Sequence, residues 1–170
     1  MARVYLGLGS NIERERYIVA GLDALHTLFG ALDLSPVYDC PAMGFTGRPF
    51  LNLVVGVHTD LDVATLARRL RAVETEHGRP ADAQRNSPRQ LDIDILTYDN
   101  LTGHVHGVEL PRGEILQHAF VLRPLSDLVP DERHPVSGKR YREHWEEFDQ
   151  SSQPIYPVAF QWRGRDLPLP

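Results

Sequence analysis

Twice along the chain, residues patterned for a strand give way to residues patterned for a helix and then to a second strand, an order that leaves few folds open. Arg3 to Leu8 (RVYLGL) is a short β-prone run ending in Gly9-Ser10-Asn11, turn formers that can break a strand and cap a helix. From Ile12 to Phe29, apolar residues recur at Ile18, Gly21, Leu22, Leu25, Leu28 and Phe29, which is helical spacing closed by Gly30. Leu32 to Tyr38 reads as a strand despite Pro36, and it leads into the Gly- and Pro-rich loop CPAMGFTGRP. Phe50 to His58 (FLNLVVGVH) reads as a buried strand. Asp60 to His77 reads as a helix with Leu61, Ala64, Leu66, Leu70 and Val73 toward the core, closed by Gly78. Arg79 to Arg89 is polar, with Pro near both ends, and reads as a mobile loop before a last strand, Gln90 to Tyr98. This β-α-β, β-α-β order is that of a ferredoxin-like α+β sandwich: two helices cover one face of an antiparallel sheet and the other face is left for ligands.

Beyond Asn100 the pattern weakens. Gly103 to Gly107 reads as a turn, Ala119 to Leu128 is apolar, and Tyr141 to Phe148 reads as a short helix. The Pro-rich tail from Ser151 is expected to pack irregularly on the surface. At 170 residues, 42% of them hydrophobic, residues 1–170 are expected to form a single domain. The chain lacks an apolar run long enough to span a bilayer and a signal-peptide pattern, so a soluble, cytoplasmic protein with no membrane partner is expected. The single Cys40 agrees with a reducing compartment. A net charge of −5 argues against a general nucleic-acid binder, which needs a basic surface to displace counterions.

Within the last strand, SPRQLDIDIL, two acids interrupt an apolar run. Side chains alternate along a strand, so Leu91, Ile93 and Ile95 point one way, Asp92 and Asp94 the other. The two aspartates are then about 6.5 to 7 Å apart at Cα, close enough for their carboxylates to converge. Adjacent carboxylates repel unless a cation or proton lies between them, and oxygen ligands without His or Cys favour Mg²⁺ completed by substrate phosphates and water. A half-exposed strand with two solvent-facing acids would carry the same bare pattern. Arg79, Arg85 and Arg89 just upstream favour the first reading, since guanidinium groups suit a polyphosphate. Gly7-Leu8-Gly9 completes neither a dinucleotide fingerprint nor a Walker loop, and reads as a strand-to-helix turn.

Gly9-Ser10-Asn11, Pro49-Phe50-Leu51-Asn52, the run from Ser87 to Leu96 and Ala119-Phe120-Val121-Leu122-Arg123-Pro124-Leu125 together resemble the 6-hydroxymethyl-7,8-dihydropterin pyrophosphokinases of folate biosynthesis. The matching motifs keep order and spacing from about Val4 to Pro130, and P-R-x-L-D-[IL]-D-[IL] is the most specific of them. The resemblance implies a ferredoxin-like enzyme that binds ATP with two Mg²⁺ ions. It would move the intact β,γ-pyrophosphoryl group to the hydroxymethyl oxygen of a reduced pterin and release AMP. By resemblance, Asp92 and Asp94 hold both metals, Arg79 and Arg89 neutralise the polyphosphate, and Glu74 and Ile95 line the ATP site. Phe50 and Phe120 sandwich the pterin, Asn52 bonds its polar edge, and Cys40, Pro41 and Met43 close its pocket.

The departures from the family pattern cluster. Arg112 stands where the family commonly has histidine and His118 where it has arginine; within the loop, Ala81 and Asn86 replace an arginine and a tryptophan seen in some members. Arg112 is expected to restore phosphate charge that His118 weakens, which places both in the ATP site. Two rival functions are a paralogue with a different pterin or little turnover, and a non-catalytic ferredoxin-like binding module.

Overall fold

The computed structural model describes residues 1–42, 47–78 and 90–170. In chain order the first half comprises β1 (Ala2–Ser10), α1 (Arg14–Phe29), β2 (Asp33–Leu34), β3 (Val37–Cys40), β4 (Phe50–Thr59), α2 (Val63–Glu76) and β5 (Asp92–Tyr98). Then come β6 (Gly103–Val105), β7 (Val108–Leu110), α3 (Ala119–Leu128), α4 (Tyr141–Glu147), β8 (Tyr156–Val158), β9 (Gln161–Trp162) and β10 (Arg165–Asp166). The central sheet runs β5-β1-β4-β3-β8 with β2 also paired to β4, and every pairing is antiparallel. Two strand–helix–strand units interleaved in this way are the ferredoxin-like arrangement expected from the periodicity.

Packing, more than capping, holds the first helix. Its N-cap, Glu13, has left-handed backbone (φ 42) and makes no side-chain cap among the described residues. A good cap is worth about 1 kcal/mol. Against that, Ile18, Leu22 and Leu25 are fully buried, each contributing roughly 1.5–3 kcal/mol, so burial outweighs the missing cap. In α2 both agree: Asp62 accepts a hydrogen bond from Thr65 N at 2.8 Å, while Leu66, Leu70 and Val73 face the core. Leu61 lies before this helix and Ala64 is only half-buried.

Alternation along the strands sorts the interior into two layers. Val4, Leu6 and Leu8 of β1, Leu53 and Val55 of β4, and Ile93 and Ile95 of β5 pack with α1 and α2. Tyr5, Val54 and Leu96 point the other way and pack with Val121, Leu122 and Leu125 of α3 and Tyr141 of α4. The expected pair of helices, α1 and α2, covers one face, and the fold class stands; α3 and α4 in addition cover part of the second face, which was expected to be left open. Tyr5 and Tyr38 tie that layer to the sheet by donating to Glu132 and Asp127.

Three local expectations change. Leu32 to Tyr38 is two strands rather than one, broken at Ser35-Pro36, where Ser35 Oγ accepts from Val54 N at 2.8 Å. Gly103 to Gly107 belongs to the β6–β7 hairpin, turned by His106 (φ 50) and Gly107 (φ 80). The tail does not lie loosely on the surface: β8 adds a strand to the sheet beside β3, and Phe160, Trp162 and Leu167 are buried in the first core layer.

Candidate active site

The two aspartates occupy the face that their alternation predicts. Asp92 pairs with Gly9 and Asp94 with Gly7 on β1, while Ile93 and Ile95 are buried in the first core layer. The register then shifts, Ile95 opposing Leu6 and Thr97 opposing Tyr5; the extra residue, Leu96, enters the second layer. Strand β5 is an edge of the sheet, and its outer side recruits the surrounding site. Glu74 Oε2 accepts from Ile93 N at 2.8 Å, and Arg112 N donates to Leu96 O at 2.8 Å. Glu74 is therefore held by the edge strand itself, although only 3% of it is exposed.

That second bond carries Arg112 to the carboxylates. Its Nη2 lies 3.6 Å from Asp94 Oδ1 and 3.2 Å from Glu114 Oε1. Its Nε is buried without a hydrogen-bond partner among the described residues. Burial pushes the Asp94 carboxyl up to about 8; Asp92 beside it adds to the rise and Arg112 opposes it. Two adjacent carboxylates favour a cation between them, and the Arg112 guanidinium is shared with Glu114. Beside Asp94 opens a cavity of about 650 Å³ bordered also by Arg71, Glu74, Ile95, Arg112 and Glu114.

On the other side of β1 lies a second group. Phe50 pairs with Cys40, and Asn52 pairs with both Tyr38 and Gly9. Gly9 is therefore flanked by Asn52 on one strand and Asp92 on the other, which sets those two residues two strand spacings apart, about 10 Å. A Cβ on Gly9 would lie 2.6 Å from Asn52 Oδ1, so glycine is required for the amide to lie across the strand. Gly7 and Gly9 are interior strand residues that clear this face, rather than the turn formers expected from the sequence. Burial pushes the Cys40 thiol up to about 12, which leaves it a neutral wall residue.

Phe120, in the first turn of α3, is half-buried and stacks on His118, with ring centroids 5.0 Å apart and planes 14° from parallel. His118 and Arg112 thus have different neighbours, an aromatic ring and a pair of carboxylates. Asp92, Asp94, Glu74, Ile95 and Arg112 are brought together around β5; Cys40, Phe50 and Asn52 are brought together on β3 and β4; Pro41 follows β3 and is exposed. Met43, Arg79, Arg85 and Arg89 lie outside the described residues, as do Ala81 and Asn86. Glu114 was not anticipated, because nothing in the order of residues signals that a short 3₁₀ turn, Gly113–Leu116, brings it to Arg112.

Residues 5–130 match the family model described as 7,8-dihydro-6-hydroxymethylpterin-pyrophosphokinase (HPPK). The chain is 34% identical over 145 residues to the 2-amino-4-hydroxy-6-hydroxymethyldihydropteridine pyrophosphokinase of Aquifex aeolicus, covering 84% of this chain and 90% of that one. It is 39% identical over 137 residues to the enzyme of the same name from Pseudomonas aeruginosa, covering 78% and 84%. Its fold is similar to a crystal structure of Plasmodium falciparum HPPK-DHPS, with a TM-score of 0.71 at 13% identity over 86% of this chain; it spans 45% of that longer one. The extent of these matches, over a sheet that carries the aspartate pair, means that the chain belongs to the 7,8-dihydro-6-hydroxymethylpterin-pyrophosphokinase family.

Proposed function

We propose that this chain performs its family's reaction, pyrophosphoryl transfer from ATP to 6-hydroxymethyl-7,8-dihydropterin, across the sheet face between Asn52 and the Asp92–Asp94 pair. The observation that carries the assignment is the row Asn52–Gly9–Asp92: an amide that can pair with the edge of a flat heterocycle lies about two strand spacings from a carboxylate pair, with no side chain between. In the reaction the hydroxymethyl oxygen forms a bond to the β-phosphorus while the bond from that phosphorus to the oxygen bridging to the α-phosphate breaks. The bonding electrons leave with AMP, and the hydroxyl proton passes to water.

Asp92 and Asp94 would hold Mg²⁺, two ions by family resemblance. The donor set fits, being two adjacent hard carboxylates with Asp94 pushed toward its neutral form unless positive charge approaches. When bound, Mg²⁺ would neutralise phosphate charge and ease departure of the leaving oxygen. The remaining work is positioning. Phe50 and Phe120 offer aromatic faces to the pterin, with Cys40, Pro41 and Met43 bordering its pocket. Glu74 and Ile95 border the cavity in which ATP would lie, and Arg112 stands at its phosphate end. Arg79, Arg85 and Arg89 are assigned to the polyphosphate from the sequence motif, because arginine forks suit phosphate oxygens.

Incubation with ATP, Mg²⁺ and 6-hydroxymethyl-7,8-dihydropterin should yield AMP and the pterin diphosphate in equal amounts. Asp94→Asn should lower turnover about 100-fold or more, as loss of one organising charge does elsewhere, while circular dichroism stays unchanged. Turnover within a few-fold of the parent would remove the aspartate from the metal site.

A further inference from the structure

The tail beyond residue 130 lies outside the region that defines the family, yet one of its side chains reaches the site. Gln153 is half-buried, just after the 3₁₀ turn Gln150–Ser152. Its Oε1 accepts from Ala119 N at 2.9 Å, and its Nε2 donates to Gln117 O at 2.9 Å. One carboxamide therefore grips both peptide units that flank the His118 Cα. It pairs with them as a neighbouring strand would, and His118 has the extended backbone that suits this, φ −125 and ψ 125. The bond to Ala119 N also satisfies one of the orphan donors at the start of α3.

That extended backbone at His118, followed directly by helix, places the His118 ring against Phe120 with nearly parallel planes. If the two peptide units rotated, the ring two residues away would leave the stack. Three residues farther along the tail, Tyr156 pairs with Asp39, the neighbour of Cys40. One short stretch of tail thus touches both the start of α3 and the end of β3.

We infer that Gln153 is a positioning residue for pterin binding: it locks the backbone around His118 and so holds the His118–Phe120 stack as one wall of the pterin pocket. This rests on the placement of Phe120 in that pocket proposed above. Gln153→Met keeps length and loses both hydrogen bonds; Gln153→Glu keeps the acceptor for Ala119 N and loses the donor to Gln117 O. With both hydrogen bonds gone, Gln153→Met should raise the pterin KM about 10-fold. Gln153→Glu should fall between it and the parent, with kcat and the ATP KM unchanged in both. In proton–carbon NMR spectra, the His118 ring signals should lose their ring-current shift from Phe120 in Gln153→Met. An unchanged pterin KM would overturn the inference, as would equal rises in the pterin and ATP KM with a lowered unfolding midpoint. If the parent protein made no pterin diphosphate at all, the functional reading would fail separately, and an unmoved His118 signal would then decide against Gln153.

Discussion

Arg112 shows how one side chain can change meaning between sequence and structure. By position it stands where the family commonly has histidine, and charge alone suggests a phosphate ligand. In the fold it is shared between Asp94 and Glu114, and both interactions favour its charged form against the cost of burial. Arg112 and Asp94 both border the cavity beside β5. A charged hydrogen bond is worth about 1.5–3 kcal/mol, so Arg112→Ala should weaken ATP binding about 10- to 100-fold at neutral pH. His118→Ala should weaken ATP binding less than Arg112→Ala at neutral pH, because an arginine is always charged there. Calorimetric titration of both variants checks this, and equal small effects would move Arg112 away from the phosphates. Gly9 carries a similar lesson: its residue type is plain in the sequence, but its function depends on Asn52 lying across it.

Among the elements, the turn leading into α4 is one that pH should loosen. His134 Nδ1 accepts from Val136 N at 3.2 Å and from Ser137 N at 3.1 Å, so in the fold this nitrogen carries no proton. Burial lowers the pKa of His134, and His144, with its ring 5.7 Å away, lowers it further. The Tyr141 ring also packs against it, and His144 is itself lowered by burial and then by Lys139. The sign follows from linkage. A group with a depressed folded pKa binds its proton more readily when unfolded, so stability is lost as pH falls below the unfolded histidine value of about 6.5. Asp94, whose folded pKa is raised, contributes in the opposite sense in parent and variant alike, so the thermal midpoint of the parent should fall relative to that of His134→Asn between pH 7 and pH 5. An identical slope in the variant would place the titration elsewhere. α3 and α4 were visible as an apolar run and a short periodic one; that they cover the second sheet face was not, since periodicity reports an apolar stripe but not its partner.

At the scale of the whole molecule, the tail is a structural part of the fold. Trp162 is 3% exposed, donates from Nε1 to Asp23 Oδ1 at 3.0 Å and meets His26 edge-on, which pins the β9–β10 hairpin to α1. Trp162→Ala should cost about 3–5 kcal/mol in denaturant unfolding, the usual loss for a buried aromatic. A loss under about 1 kcal/mol would show the hairpin to be a dispensable cover, within the range of ordinary surface changes. The sequence concealed this because the tail's strands are two or three residues long and interrupted by proline, too short for any period to register.

Local order alone determined the interleaved strand–helix units and the faces of β5. Alternation is a property of the backbone, and it put Asp92 and Asp94 opposite Ile93 and Ile95 before any contact was known. The motif from Ser87 to Leu96 likewise carried the family in a single continuous run. What tertiary structure decided was which distant residues share that face. Asn52 is set across Gly9 from Asp92 by strand register, Glu74 and Arg112 are captured by the outer edge of β5, and Gln153 returns from the tail to grip the start of α3. Each joins residues well separated along the chain through hydrogen bonds whose partners no local pattern names, because pairing is chosen by the collapse of the whole core.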